Sequence, residues 1–118
     1  KVCHCIETHR FRKSNVPKTI EAKCIFDADK LDCIGAIGIG RAFMFSAEIG
    51  AKLYNNEINI ENTNEYSEED TAYREYFFKL RKVKDRLLTQ TGKEIARSRH
   101  EFMEKFFDRL KKEAKGKE

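Results

Sequence analysis

Three aspartates lie within six residues, in the segment Asp27-Ala28-Asp29-Lys30-Leu31-Asp32. On a helix, with 100° per residue, Asp29 falls in an arc that is otherwise mostly apolar. The arc around Asp29 contains Ala22, Ile25, Phe26, Asp32, Cys33 and Ala36. Asp27 falls on the opposite side, between Lys23 and Lys30. We therefore expect Asp29 to point toward a core and Asp27 to lie on a solvated face.

A carboxylate on a core-facing stripe is unfavourable unless a cation or hydrogen-bond donors meet it. Asp32 lies one turn beyond Asp29 and adds a second negative charge. A bound divalent cation would neutralise both carboxylates. The alternative is an ion pair between Asp29 and an Arg or Lys of another helix, and the residues by themselves leave both interpretations open.

The aspartate segment and the glycine-containing run Ile34–Phe43 resemble the C-terminal part of the HD superfamily of metal-dependent phosphohydrolases. The resemblance is greatest to its bacterial and archaeal branch of small nucleotide phosphatases and pyrophosphohydrolases. The segments Thr8–Phe11 and Glu94–Met103 fit the same pattern. The similarity therefore extends over nearly the whole chain.

The resemblance implies an all-α fold, an HD-domain-like helical bundle of which this chain is the C-terminal part. In that family one metal is held by a first His, an adjacent His-Asp pair and a final Asp, and the final Asp matches Asp29. The sequence contains no His-Asp dipeptide, so the other three ligands have no match. We expect them upstream of Lys1, in a longer polypeptide.

The resemblance also implies hydrolysis of a phosphate ester or phosphoanhydride in a nucleotide-like substrate, with release of either phosphate or pyrophosphate. Mixed imidazole and carboxylate ligands suit a divalent Mn, Fe, Co, Ni or Zn ion, and Mg is also compatible. The metal would polarise a phosphoryl oxygen and activate a water. The rival hypothesis is a catalytically inactive helical module that binds nucleotides or another protein.

Two residues are candidates for catalysis, His9 and Asp29, and Asp29 is also the candidate metal ligand. Three cations are candidates for binding the substrate phosphates: Arg10, Lys30 and Lys79. His9 lies at helical spacing from apolar residues, so a hydrogen-bonded core histidine is the alternative interpretation. Arg10 equally fits an ordinary surface arginine, and Lys79 is chosen because Lys79-Leu80 resembles a Lys-Leu pair of the related phosphohydrolases.

The composition bounds the function further. The chain has 118 residues, of which 37% are charged, and a net charge of +4. This mild basic excess suits a small anionic ligand, and the absence of a basic cluster interleaved with aromatics disfavours nucleic acid as a partner. No apolar run has the length of a membrane span. The spacing of Cys3-His4-Cys5 does not suit structural zinc, and cysteines scattered through helices predict a cytoplasmic protein.

The chain divides into residues 1–46, with the metal-site helices, a polar connection at 47–66, and two helices at 67–118. We expect the connection to be a lid or flexible rim. Ser67–Asp70 predicts the start of one helix that continues to Leu87, and the last helix is predicted from Lys93 to Ala114.

Gly35, Gly38 and Gly40 predict a close approach to the helix that carries Asp29, and a phosphate loop is disfavoured. We expect Arg99 and His100 to be surface or partner residues. The apolar stripes of the last two helices fit either an internal core or a homodimer interface.

Overall fold

A computed structural model describes residues 1–9, 16–56 and 59–117, and these ranges contain helices and no strand. The α-helices are α1 (Val2–Thr8), α2 (Ile20–Leu31), α3 (Gly35–Glu48), α4 (Ala72–Phe78) and α5 (Gln90–Ala114). Two 3₁₀ segments span Ile60–Asn62 and Leu80–Asp85. The prediction of an all-α fold is confirmed. Within the described ranges, no helix combines the length and the apolar character needed to cross a membrane.

Three threonines set the starts of the helices that matter most here. Thr19, Thr71 and Thr89 are the N-caps of α2, α4 and α5, and each side chain accepts a hydrogen bond from the backbone N–H three residues later. This contact satisfies a donor that has no partner within the helix. The helix predicted to start at Ser67–Asp70 therefore begins only after Thr71, and that part of the prediction is wrong.

The long helix predicted to follow is also interrupted, at Lys79. This residue has φ −124° and ψ −56°, and it separates α4 from the 3₁₀ segment Leu80–Asp85. Leu80 and Val83 are both buried. Residues three apart are aligned in a 3₁₀ helix, so this tighter winding places both side chains on the core side.

The core is formed by α3, α4, the second 3₁₀ segment and α5. Its buried residues are Ile34, Ile39, Ala42, Ala72, Leu80, Val83, Leu87, Ala96, Met103 and Phe107. The buried side of α5 carries Gly92, Ala96, His100, Met103 and Phe107, while the apolar Ile95 and Phe102 remain 38% and 49% exposed. His100, predicted as a surface or partner residue, is buried and pairs through Nε2 with Oε1 of Glu104 at 2.8 Å.

Of the three glycines after α2, Gly35 and Gly38 make close approaches, but not to α2, and Gly40 makes none. Gly35 has φ +74°, and a Cβ there would lie 2.9 Å from the side chain of Arg99 on α5. A Cβ on Gly38 would lie 2.2 Å from the carbonyl oxygen of Cys33, in the turn before α3. α3 packs on α5, where Phe43 meets Phe106 edge to face, and on α4. The predicted packing of α3 against α2 is wrong.

The polar connection is held by a buried network around Arg74. The Arg74 guanidinium donates from Nε to Oγ1 of Thr63 at 2.7 Å and from Nη2 to the Thr63 carbonyl at 3.2 Å. Its Nη1 lies 3.4 Å from Oδ1 of Asp70, and both of these side chains are buried. Asn55 donates to the carbonyl of Glu69 at 2.7 Å and also contacts the hydroxyl of Thr71. These contacts attach the described part of the connection to α4, which does not fit the expected flexible rim.

Replacing Thr63 tests this network. Thr63→Val keeps the side-chain shape but removes the oxygen that accepts from Arg74, so a buried donor loses its partner. We expect the free energy of unfolding to fall by about 1–3 kcal/mol, measured by urea denaturation. The control Glu61→Gln changes an exposed side chain nearby and should alter stability by less than about 0.5 kcal/mol. Equal stability of the two variants would contradict the role assigned to the network.

Candidate functional site

The two central aspartates of α2 are oriented opposite to the prediction. Asp27 is 3% exposed, whereas the Asp29 side chain is 42% exposed. Ala22 and Phe26 are fully buried, while Ile25, the apolar residue one turn before Asp29, is 46% exposed. The buried side of α2 is therefore centred near Phe26. Of the arc predicted around Asp29, Ala22 and Phe26 are buried, whereas Ile25, Asp32 and Ala36 are exposed.

Asp27 is buried because its carboxylate accepts hydrogen bonds from residues at the start of α5. Oδ1 accepts from the backbone N–H of Leu88 at 2.9 Å, and Oδ2 accepts from the N–H of Thr89 at 2.8 Å. The hydroxyl of Thr89 donates to Oδ2 at 2.6 Å. A negative charge at a helix N-terminus is favourable, since unpaired N–H groups point toward it. These donors compensate for the loss of water around the carboxylate.

The C-terminus of α2 is held by two arginines. Arg99 of α5 donates from Nη1 to the carbonyl of Leu31 at 2.6 Å, and Arg41 of α3 donates to the carbonyl of Asp32 at 3.0 Å. The last carbonyls of a helix have no partner within the helix, and cations there also favour the helix dipole. α2 and α5 thus cap each other, with Asp27 at the start of α5 and Arg99 at the end of α2. Arg99, predicted as a surface or partner residue, is therefore a partner of the C-terminus of α2.

Asp29 has a cation from its own helix beside it. The Nζ of Lys30 lies 3.8 Å from Oδ2 of Asp29 and 5.2 Å from the centre of the Phe26 ring. Burial leaves the Lys30 side chain only 16% exposed. The Asp29 carboxylate, in contrast, keeps nearly half of its surface open. Its oxygens are therefore accessible to a ligand, and Lys30 adds positive charge at the same place.

His9 lies at the end of α1, where its Nδ1 is 2.6 Å from the carbonyl of Ile6. It lines a largely apolar groove of about 470 Å³ between α1 and α2, together with Ile25. Ile25 is four residues before Asp29, so the groove runs along the side of α2 that carries the candidate ligand. His9 is thus half-buried near α2, and its proposed role at the site stays a prediction.

The other two candidates are not brought to Asp29 by any described contact. Lys79 lies at the end of α4, 3.9 Å from Oε1 of Glu65 and 3.8 Å from Oε2 of Glu75. Arg10 lies outside the described residues. Lys79 is more than half exposed and shared between two carboxylates, so its positive charge is already offset.

A divalent metal needs several ligands, and the described ranges supply only part of a set. They contain no group of three or more His, Cys, Asp or Glu side chains placed to hold a metal ion. The half-exposed Asp29 carboxylate fits a single oxygen ligand, since it is accessible and fixed on a helix. A complete site therefore requires further donors beyond those in the described ranges.

A second small cavity, of about 230 Å³, lies between α3 and α4. Cys33, Arg41 and Glu75 line it with apolar neighbours. Burial raises the pKa of the Glu75 carboxyl, and Lys79 partly opposes this shift. Burial likewise raises the pKa of the Cys33 thiol, so that the neutral thiol is favoured. Cys33 donates weakly from Sγ to the carbonyl of Asp29 at 3.6 Å and serves as a packing residue.

Comparison with known proteins places this geometry in context. The chain is 39% identical over 120 residues to YpgQ of Bacillus subtilis, a protein described as uncharacterized. The aligned region covers 98% of this chain and 53% of YpgQ. A crystal structure of YpgQ in complex with ADP has a TM-score of 0.73 at 38% identity, covering 95% of this chain and 50% of that one. No protein-family model matches the chain.

A second similar structure carries a family description. The crystal structure of an HD-superfamily hydrolase from Bacillus thuringiensis has a TM-score of 0.71 and 34% identity, covering 82% of this chain and 47% of that one. The resemblance to the HD superfamily is therefore confirmed. The chain spans about half the length of the relatives it matches.

The contact between Asp27 and the start of α5 requires a glycine at position 92. A Cβ on Gly92 would lie 2.2 Å from Oδ2 of Asp27 and 2.9 Å from Oγ1 of Thr89. We expect Gly92→Ala to lower the free energy of unfolding by about 1–3 kcal/mol, measured by urea denaturation. The matched control is Gly40→Ala on α3, where a Cβ would meet nothing within 4 Å. It should be neutral or stabilising by up to about 1 kcal/mol, and equal losses would contradict the close contact.

The raised pKa of Glu75 predicts that the stability of the folded state depends on pH. This raised pKa means that the folded state holds the proton more firmly than the unfolded state, whose pKa is near 4.5. Stability therefore declines as pH rises from 4.5 through the folded-state pKa. Glu75→Gln removes this unfavourable charge and should raise the melting temperature at pH 7 by about 1–4 °C, with the gain disappearing near pH 4. The ion pair with Lys79, whose side chain is more than half exposed, offsets little of the cost of burying the Glu75 charge. A Glu75→Gln variant whose melting temperature follows the same pH profile as the wild type would refute the effect.

Proposed function

Because the chain resembles HD-superfamily hydrolases over most of its length, we propose that the complete protein is a metal-dependent phosphohydrolase. Its reaction is hydrolysis of a phosphate ester or phosphoanhydride in a nucleotide-like substrate. The observation that carries the proposal is the accessible Asp29 carboxylate on α2, in a fold that matches an HD-superfamily hydrolase at 34% identity. Since the chain spans about half of its relatives, the proposal concerns the complete protein.

In this proposal Asp29 is one ligand of a divalent cation, chosen from Mn, Fe, Co, Ni, Zn or Mg. When bound, such a cation polarises a phosphoryl oxygen and lowers the pKa of water. The Asp29 side chain is suited to this role because α2 fixes its position while its oxygens stay accessible. The remaining ligands come from elsewhere in the complete protein.

Lys30 is the best placed of the proposed substrate-binding cations. Its ammonium group lies 3.8 Å from the Asp29 carboxylate, so it can offset negative charge on a phosphate bound next to Asp29. His9 would contribute from the end of α1 as a catalytic residue. Arg10 and Lys79 are proposed as further phosphate contacts, and Lys79 would first have to leave Glu65 and Glu75.

A nucleotide is the proposed ligand because the similar YpgQ structure is a complex with ADP. The same finding fits a catalytically inactive module that only binds nucleotides, so binding alone does not separate the two hypotheses. We also propose a cytoplasmic location, since all four cysteines are free and such thiols suit a reducing compartment. A homodimer stays a prediction.

The proposal is tested with the intact gene product and its Asp29→Ala variant. Phosphate and pyrophosphate release is measured from a panel of nucleotides, with each divalent metal and with a chelator. We expect metal-dependent turnover that falls at least about 100-fold in Asp29→Ala, since loss of a ligand disrupts both metal binding and positioning.

The matched control is Asp108→Ala, which removes an exposed carboxylate of α5 that pairs only with Lys112 in the described contacts. It should retain wild-type turnover. No turnover with any metal, together with unchanged nucleotide binding in Asp29→Ala, would refute the phosphohydrolase and favour the inactive binding module.

A further inference from the structure

Asp29 lies midway between two points at which α5 holds α2. Asp27, two residues earlier, accepts three hydrogen bonds from Leu88 and Thr89. Leu31, two residues later, accepts from Arg99 through its carbonyl at 2.6 Å. Both contacts are short and charge-assisted, so they are strongly directional. The helix segment that carries Asp29 is therefore restrained on either side.

The two restraints come from separate turns of α5. Thr89 is the N-cap of α5, and Arg99 lies ten residues further along, roughly 15 Å in helical rise. A shift of α2 along α5 would lengthen one set of hydrogen bonds, and a rotation of α2 about its axis would turn the Asp27 carboxylate away from its donors. Apolar contacts of Ala22 and Phe26 do not provide the same directionality, because the hydrophobic effect is non-directional.

We propose that Asp27 and Arg99 are positioning residues for Asp29, and that the metal affinity of the complete protein depends on them. The inference rests on the proposed function, because it takes Asp29 as a metal ligand. Neither residue touches the metal or the substrate. Each acts by fixing the rotation of α2 about its own axis and the position of α2 along α5.

The required precision explains why such restraints matter. Side-chain ends lie about 5–6 Å from a helix axis, so a rotation of ~10° displaces the Asp29 carboxylate by ~1 Å. Ligand constellations tolerate deviations of about 0.5 Å and 10–20°. Asp29 is only half-buried and contacts no cation besides Lys30 among the described residues, so few contacts of its own hold it. Its position must come from the helix.

The variants follow from the hydrogen bonds. Asp27→Asn keeps the shape, but its amide NH₂ cannot accept, so one donor at the start of α5 loses its partner. Arg99→Met removes the donor to the Leu31 carbonyl and keeps much of the apolar stem. Arg99→Lys keeps a cationic donor and should restore part of the effect. The control Thr63→Val breaks a buried hydrogen bond in the Arg74 network, away from α2.

The test measures Mn²⁺ affinity by calorimetric titration of the intact gene product, together with melting temperature, kcat and KM. We expect Asp27→Asn and Arg99→Met to weaken Mn²⁺ binding about 10-fold or more, as is typical of residues that orient ligands. The fold decrease in kcat should be larger than the fold change in KM. Arg99→Lys should bind Mn²⁺ more tightly than Arg99→Met, and Thr63→Val should lower the melting temperature with Mn²⁺ affinity unchanged.

The proposal is overturned if Asp27→Asn and Arg99→Met lose stability as Thr63→Val does while Mn²⁺ affinity and kcat stay at wild-type values. Should Asp27→Asn fail to fold, the comparison of Arg99→Met with Arg99→Lys decides the matter. If the wild type and Asp29→Ala bind Mn²⁺ equally, the proposed function fails and the inference fails with it. The two failures are distinguishable, because the first leaves Asp29-dependent metal binding intact.

Discussion

The buried carboxylate of Asp27 is the contact on which the placement of α2 depends. It lies 61 and 62 residues away in sequence from its donors Leu88 and Thr89, and it joins the middle of α2 to the first turn of α5. A buried carboxylate is tolerated only with such donors, so the two helices must meet in this register. Gly92 completes the contact, because only a residue without Cβ leaves room for the carboxylate.

The same principle holds the polar connection. Arg74 is a buried cation whose donors are used by Thr63 and Asp70, and its guanidinium also lies 4.7 Å from the ring centre of Phe78. A segment rich in asparagine and glutamate has little apolar surface to bury. It is therefore attached to α4 through hydrogen bonds. The polar residues that suggested mobility from the sequence are the ones that make these hydrogen bonds.

The candidate site combines a rigid helix with an accessible ligand. Asp29 projects from α2 with nearly half of its side chain exposed, while the residues on both sides of it are held by α5. A ligand aspartate needs this combination, since a buried carboxylate that already accepts three hydrogen bonds, such as that of Asp27, is not accessible to a metal. The contacts thus distinguish the two aspartates: Asp27 is paired and buried, whereas Asp29 stays open to a ligand.

The element types were predictable from local sequence. Helical periodicity and the resemblance carried by the aspartate segment both agree with an all-α fold, and the bounds of α5 were close to the predicted Lys93 to Ala114. These features are local, since each depends on residues within a few turns. The interruption at Lys79 was not predictable, because the same apolar spacing fits both α and 3₁₀ winding over so short a segment.

The orientation of each helix was decided by tertiary structure. A helical projection locates an apolar arc on α2 but does not say which part of it a neighbour covers, so it assigned the core-facing role to Asp29 and the solvated one to Asp27. The true assignment depends on the donors of Leu88, Thr89 and Arg99, which only folding brings to α2. Sequence alone therefore determined the helices and the chemical groups they carry. Tertiary structure decided which groups are paired and buried, because the partners are far apart in the chain.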